Sequence, residues 1–214
     1  MSNFKTSAIV LAAGVGARMN SGKTKQLIDI CGATVLERTL DAFSSSALTD
    51  EIVIVARDEE VDEIRSIISS HNYSKSVKIV VGGSCRAESA RNGFGAIDKS
   101  SGFIAIHDAA RCLITPEMID KVVEKAHKCG AATAVCGVSD TVKCVDSSGK
   151  ITATLPRDNV FRAQTPQVFK ASLYREALDK TRDASVVTDD NMLLESIGTE
   201  IYTVDLGPTN IKIT

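Results

Sequence analysis

The chain has 214 residues, 43% of them hydrophobic and 24% charged, and a formal net charge of −2 at neutral pH. This is the make-up of an ordinary soluble globular protein, long enough to bury ~70% of its unfolded surface. It excludes a dedicated nucleic-acid binder, which would carry a basic face or stripe.

The chain begins MSNFKTSAIVLAAG. Its apolar run is too short to span a membrane and lacks the layout of a secretory signal, so a cytoplasmic location and no membrane partner are expected. A strand is predicted over 7–12, running into Gly14-Val15-Gly16-Ala17-Arg18-Met19, with Lys25-Gln26 further on. A buried strand that ends in a glycine turn puts backbone N–H groups and side-chain cations at the C-terminal edge of a sheet. Open α/β folds bind ligands there, and bare donors with two positive charges, Arg18 and Lys25, suit a polyphosphate. Two familiar motifs fail to match. The dinucleotide fingerprint needs glycine at position 19, where the chain has Met19, and a P-loop ending in Gly22-Lys23-Thr24 needs glycine at position 17, which is Ala17.

Short β-branched runs then alternate with amphipathic segments. Strands are predicted at 51–56, 77–81, 102–107 and 131–137, and helices at 34–46, 59–70, 84–98 and 115–129. The last helix has Thr115 as its cap, Pro116 at its first position and Gly130 just past its end. Continuous apolar strands separated by helices imply a mostly parallel sheet covered on both faces. The rhythm breaks after residue 137. Residues 141–146 and 150–155 read as strands joined by Ser147-Ser148-Gly149, a turn with hairpin chemistry. A late hairpin with little core left to pack on is expected to project as an arm, at about residues 139–160, and to pair with a second subunit. Helical patterns return at 171–181 and 188–197, and two strand-like pieces, 199–204 and 210–213, close the chain. The whole, 1–214, reads as one domain with an arm. The six cysteines, Cys31, Cys85, Cys112, Cys129, Cys136 and Cys144, include no C-x-x-C pair and read as reduced thiols.

Three further constellations carry chemistry. At the end of the third strand, Val81-Gly82-Gly83-Ser84-Cys85-Arg86-Ala87-Glu88-Ser89 makes a second glycine turn, with Ser84 placed as a helix cap, that lets a flat ring approach the backbone. At the end of the fourth, Ile106-His107-Asp108-Ala109-Ala110-Arg111 puts a carboxylate where a metal or a ribose hydroxyl could be held. His107, after an apolar strand, is read as a packed histidine rather than a base. A looser group comprises Asp140-Thr141, Arg157, Gln164-Thr165-Pro166-Gln167 and Lys212.

The blocks LAAGVGARM, KQ, GGSCRAESARNG, AIHDAAR, SDTVK, PRDNVF, QTPQVF, TDD and NIKIT occur in this order over nearly the whole chain. Together they resemble the 2-C-methyl-D-erythritol 4-phosphate cytidylyltransferases of the non-mevalonate isoprenoid pathway. The resemblance implies a Rossmann-like nucleotidyltransferase fold, α/β with a mostly parallel sheet flanked by helices and a projecting β-hairpin arm. It implies a reaction in which CTP and a polyol phosphate give a CDP-linked alcohol and pyrophosphate, with Mg²⁺ or another divalent cation bridging the triphosphate. By the same resemblance Arg18 and Lys25 stabilise the transition state, and Arg157 and Lys212 orient the substrate phosphate. Ala12, Ala13, Gly14 and Gly16 approach the nucleotide, while Gly83, Ser84 and Ser89 read the cytosine. Asp108, Arg111, Thr141 and Thr165 surround the polyol phosphate, with Asp108 the candidate metal ligand. Arg157 would reach the neighbouring subunit, making a homodimer with shared active sites. Two departures touch loop stiffness: Cys112 and Thr24 stand where the family usually has proline. Rival readings are a ribitol 5-phosphate cytidylyltransferase, a dinucleotide-binding oxidoreductase, disfavoured by Met19, and a non-catalytic nucleotide sensor.

Overall fold

A computed structural model of the protein describes residues 4–14, 24–181 and 188–214. Gly16 and Arg18, and with them the middle of the first glycine turn, lie outside the described residues.

The first half repeats strand and helix. Strand β1 (Thr6–Leu11) leads through a 3-10 turn at Lys25–Leu27 and a small ribbon, β2 (Asp29–Ile30) and β3 (Ala33–Thr34), to helix α1 (Val35–Ser45). Then come β4 (Glu51–Ala56), α2 (Val61–Ser70), β5 (Ser76–Val81), α3 (Arg86–Ala96), β6 (Phe103–Asp108), α4 (Pro116–Cys129) and β7 (Ala131–Gly137). The second half holds β8 (Val142–Val145), β9 (Ile151–Leu155), β10 (Phe161–Lys170), α5 (Ala171–Lys180), α6 (Asp190–Glu195) and β11 (Tyr202–Asp205).

Local chemistry sets the helix ends. The Thr34 hydroxyl accepts from the Glu37 N–H while the Glu37 carboxylate accepts from the Thr34 N–H, a reciprocal capping box that starts α1. The Thr115 hydroxyl accepts from the Met118 N–H, Pro116 occupies the first turn of α4, and Gly130 ends it at φ 93°, as the sequence led us to expect.

Seven strands form one sheet in the order β11-β7-β10-β6-β1-β4-β5. All its pairings are parallel except those of β10, which runs antiparallel between β6 and β7. Alternate residues feed two cores. On one face Ala8, Val10, Ile52 and Ile54 pack with Leu36, Leu40 and Phe43 of α1 and Ile119, Val122 and Val123 of α4. On the other, Ile9, Val55, Ile104 and Ile106 pack with Phe94 of α3, Tyr174 of α5 and Leu193 and Leu194 of α6. Gly93 lets α3 press onto that second face, since a Cβ there would lie 2.4 Å from Ile9 Cγ2 and 2.8 Å from Val55 Cγ2.

The order of strands places the site. From β1 the chain steps outward to β4 and β5, then crosses back to lay β6 on the other side of β1. Neighbouring strands whose connections leave in opposite directions open a crevice at their C-terminal ends, where such sheets bind ligands.

The sequence reading departs from the structure at several points. Strand β10 was not anticipated. The Gln164-Thr165-Pro166-Gln167 run at its centre is polar and carries a proline, and the register shifts between Ala163 and Gln167, around Pro166. The piece expected at 210–213 is no strand; Asn210 and Ile213 are instead held by hydrogen bonds outside any sheet ladder. Helix α3 begins after Cys85, and Ser84 does not cap it: the Ser84 N–H and hydroxyl both donate to Glu88 Oε2, each at 2.7 Å. β8 and β9 do form the hairpin, as a separate two-stranded sheet with Val145 and Ile151 exposed. No helix among the described residues is long and apolar enough to cross a membrane.

Candidate active site

The crevice holds a cavity of about 660 Å³ whose walls are the segments that follow β1, β4, β5 and β6. Both glycine turns reach it, through Ala13-Gly14 and Gly82-Gly83. They also touch each other. A Cβ on Gly82 would stand 2.6 Å from Ala13 Cβ, and one on Gly83 would stand 2.2 Å from Glu88 Cβ, so glycine is required at both by close approach. The Ser89 hydroxyl accepts from the Gly83 N–H at 3.1 Å and, with the Ser84–Glu88 bonds, holds the second turn in shape. The wall is thus a preset backbone surface with a serine at its rim.

The opposite chemistry sits at the end of β6. Asp108 accepts from Lys212 Nζ at 2.7 Å and lies 3.6 Å from Arg86 Nε. Burial alone would raise its pKa, but Arg86 and Lys212 outweigh burial and hold the carboxyl at about 2. Arg86 in turn donates to Asp190 Oδ2 at 2.7 Å, and Tyr174 donates its hydroxyl to Asp190 Oδ1 at 2.7 Å. Burial works against the charge on Arg86, yet Asp190 and Asp108 more than compensate and raise its pKa. An ionised chain, Lys212–Asp108–Arg86–Asp190, therefore runs from the C-terminal segment into the second core.

The C-terminal segment is fastened beside it. Asn210 Nδ2 donates to Gln164 Oε1 and to the Thr165 carbonyl, both at 2.9 Å, while Arg111 Nη1 donates to the Asn210 carbonyl at 2.9 Å. The Ile213 N–H donates to the Ala110 carbonyl, and Lys25 Nζ reaches the Ile213 carbonyl at 3.2 Å. Lys25 and Lys212, remote in sequence, thereby line one cavity.

His107 is fully buried, between the Thr165 hydroxyl (3.1 Å from Nδ1) and the Arg111 carbonyl (3.4 Å from Nε2). Thr165 also accepts from the Asp108 N–H at 3.0 Å. Burial, countered in part by Asp108, lowers the His107 pKa to about 4. It is a packed, neutral histidine at neutral pH, as the sequence suggested. The sign for stability follows. Between pH 6.5 and 4 the unfolded chain binds a proton that the folded one refuses, so stability falls as pH falls through that window, by about 3 kcal/mol for a shift of this size. Urea unfolding at pH 7 and pH 4.5 is expected to show a steeper loss for the wild type than for His107→Gln. Equal slopes would contradict the burial argument.

Of the residues singled out from sequence, Ala13, Gly14, Lys25, Gly83, Ser84, Ser89, Asp108 and Lys212 line the cavity. Ala12 does not: it is buried, its N–H donates to the Val55 carbonyl and its carbonyl accepts from Gln26. Arg111 and Thr165 stand behind Asp108 and not on the wall. Thr141 and Arg157 are exposed at the two ends of the hairpin, where Arg157 Nη1 donates to the Ser139 carbonyl at 2.7 Å. The sequence reading missed Arg86 and Asp190. The available signal was Arg86 falling in the first turn after a glycine pair on the same sheet edge. Gln26 and the Arg57-Asp58-Glu59 loop after β4 also line the cavity and were not singled out. Among the described residues no group of three or more His, Cys, Asp or Glu could cage a metal ion.

Backbone glycine turns and three cations, Lys25, Lys212 and Arg86, lining one crevice at a switch point define the class: a Rossmann-like α/β protein built to hold a polyanionic ligand. Comparison with known proteins makes this specific. The family pattern of IspD, 2-C-methyl-D-erythritol 4-phosphate cytidylyltransferase, matches residues 6–214. Proteins of that name from Clostridium botulinum and Microcystis aeruginosa are 39% and 40% identical to it, over 98% and 96% of this chain and 92% of each relative. The crystal structure of 4-diphosphocytidyl-2C-methyl-D-erythritol synthase from Anaerococcus prevotii superposes with a TM-score of 0.88 at 31% identity, covering 100% of this chain and 94% of that one. The chain belongs to the 2-C-methyl-D-erythritol 4-phosphate cytidylyltransferase family and is a nucleotidyltransferase of isoprenoid precursor synthesis.

Proposed function

We propose that the cavity is where the protein transfers the cytidylyl group of CTP to 2-C-methyl-D-erythritol 4-phosphate, giving 4-diphosphocytidyl-2-C-methyl-D-erythritol and pyrophosphate. The observation that carries this reading is the meeting of Lys25 and Lys212 in one cavity beside the ionised Asp108. The attacking oxygen belongs to the substrate phosphate and is already anionic near neutral pH, so no strong general base is needed. His107, neutral and buried, need not be one. The barrier lies in bringing two anions together and in charge on a five-coordinate α-phosphorus, and positioned cations lower it.

On this reading Lys25, with Arg18, faces the α-phosphate and the departing pyrophosphate. The Ala13-Gly14 backbone supports the triphosphate, and Gly83, Ser84 and Ser89 meet the cytosine. Hydrogen bonds to the exocyclic amine then reject uracil, because a mismatched polar edge is left unpaired. Lys212 orients the polyol phosphate. Asp108 takes its hydroxyls, fixed from behind by Arg111 and Thr165. The site fits a divalent cation through one protein oxygen: Asp108 stays ionised and, among the described residues, its Oδ1 has just the 3.6 Å contact with Arg86, so it could supply one hard oxygen, the other ligands being phosphate oxygens and water. Bound Mg²⁺ would offset the charge of the triphosphate.

Pyrophosphate release, followed with each of four nucleoside triphosphates and with methylerythritol 4-phosphate or ribitol 5-phosphate, tests the assignment. CTP with methylerythritol 4-phosphate is expected to be turned over alone. An equal or faster rate with ribitol 5-phosphate would transfer the assignment to the rival polyol.

The β8–β9 hairpin, with apolar Val145 and Ile151 exposed, suits pairing with a second copy, and Arg157 beside it would then serve the partner's cavity. Mixing Arg157→Ala with Lys25→Ala chains should restore activity in the heterodimer, whose one repaired site has both residues. A confirmed heterodimer without rescue would count against sharing.

A further inference from the structure

Lys25 rides on a single 3-10 turn, Lys25–Leu27, and such a turn has little stiffness of its own. Its flanking residues reach one buried carboxylate. On one side, the Thr24 hydroxyl is not used to cap the turn's own backbone; it donates to Glu60 Oε1. On the other side Gln26, 2% exposed, donates its amide to the Ala12 carbonyl and makes longer contacts with Glu60 Oε2 at 3.3 Å and the Gly14 carbonyl at 3.4 Å. Glu60 itself is 6% exposed and sits at the junction of the Asp58–Glu60 turn with α2.

A carboxylate is costly to bury unless its oxygens are hydrogen-bonded, and here both are, by the two residues that bracket Lys25. The same carboxylate ties together three pieces of the cavity: the exit of β1 through Gln26, the turn bearing Lys25, and the Arg57-Asp58-Glu59 loop that leads into Glu60. A lysine stem has four rotatable carbons, so its ammonium can be placed only if its backbone is first held still. We propose that Glu60 is a positioning residue for Lys25, fixing the turn by gripping Thr24 and Gln26 so that the ammonium meets the phosphate in the transition state.

This rests on the reading of Lys25 given above, and the experiment separates the two. Steady-state pyrophosphate release from CTP and methylerythritol 4-phosphate is measured for wild type, Glu60→Gln, Glu60→Leu, Lys25→Ala and the Glu60→Leu/Lys25→Ala double variant, with CTP affinity by calorimetry. A misplacement of the reacting geometry by about an ångström costs up to about 100-fold, so Glu60→Leu is expected to lower kcat about 10- to 100-fold with KM and CTP affinity within about 3-fold. Glu60→Gln, which can accept from Gln26 and donate to the Thr24 hydroxyl, should stay within about 3-fold of wild type. In the Lys25→Ala background Glu60→Leu should cost nothing further, because its effect runs through a side chain already gone.

An undiminished kcat in Glu60→Leu, a Gln variant as slow as the Leu variant, or a full additional loss in the Lys25→Ala background would overturn the proposal. A near-normal Lys25→Ala would instead remove Lys25 from the chemistry. Should Glu60→Leu fail to fold, Thr24→Val releases one grip and leaves Glu60 in place; it is expected to lower kcat several-fold at constant CTP affinity, and no change would overturn the proposal equally.

Discussion

Lys25→Ala is expected to lower kcat about 100- to 1,000-fold while CTP still binds within a few-fold of wild type. The size follows from where charge develops. On the proposed reading the ground-state triphosphate would be held by many donors, among them the glycine-turn backbone, so that one lost cation should change affinity little. In the transition state the α-phosphorus carries five oxygens, and a preset donor aimed at that charge contributes about 3–4 kcal/mol in comparable acyl-transfer sites. Lys25 lines the cavity with its Nζ 3.2 Å from the Ile213 carbonyl, so its resting position is tied to the segment that also brings in Lys212. Rapid-quench measurement of a single turnover, with enzyme in excess over CTP, isolates the chemical step from product release. Lys25→Arg should recover only part of the loss, because a planar guanidinium cannot occupy the point the ammonium occupies. Single-turnover rates for Lys25→Ala within about 10-fold of wild type would take this residue out of the transition state.

How much of this was legible in the sequence depended on the kind of pattern each part uses. Strands β1, β4, β5, β6 and β7 are apolar runs between helical stretches, and such runs announce a buried parallel sheet. The glycine turns after β1 and β5 were found because glycine marks close approach, and Gly82 against Ala13 is such an approach. Strand β10 is hard to see because only Val168 and Phe169 of its buried residues are apolar side chains of the cores, while Gln164, Thr165 and Gln167 are buried and polar. Gln164 accepts from Asn210, and Gln167 donates to Asp189 and accepts from the Asp190 N–H, so the strand hydrogen-bonds to the chain's last segments through amides that read as loop. Arg86 was hidden for a different reason. Its partner Asp190 is 104 residues away, as Lys212 is from Asp108, and no local spacing encodes such pairs. The TDD block that contains Asp190 has no local pattern that points to a partner. Its role needs the sheet, which alone brings α6 under the start of α3.

The second large effect is expected at that distant pair, and on stability before activity. Asp190 is 1% exposed and accepts from two neighbours, the part-buried Arg86 Nη1 and the buried Tyr174 hydroxyl, each at 2.7 Å. Asp190→Ala strips both at once. Removing one partner of a buried ion pair costs about 3–5 kcal/mol because the other charge is left uncompensated. Here the Arg86 side chain is 26% exposed and can turn toward Asp108, so water and a second carboxylate soften the loss to about 2–4 kcal/mol. For a chain of this length about 3 kcal/mol corresponds to a fall in Tm of roughly 6–12 °C. Asp190→Asn keeps an acceptor for Tyr174 and should lose less, and Tyr174→Phe should cost only about 1 kcal/mol, the worth of one hydrogen bond. The double variant Asp190→Leu with Arg86→Leu should be more stable than Asp190→Ala, since a cavity wall without either charge is cheaper than one with an orphan. Urea unfolding of the four variants decides this. A loss below about 0.5 kcal/mol for Asp190→Ala would mean the pair is solvated, and the ionised chain from Lys212 to Asp190 would then end at Arg86. If the loss is as large as expected, Asp108 should also drift as Arg86 re-pairs, raising KM for the polyol phosphate more than KM for CTP. That asymmetry separates a site held in place by its core from one merely resting on it.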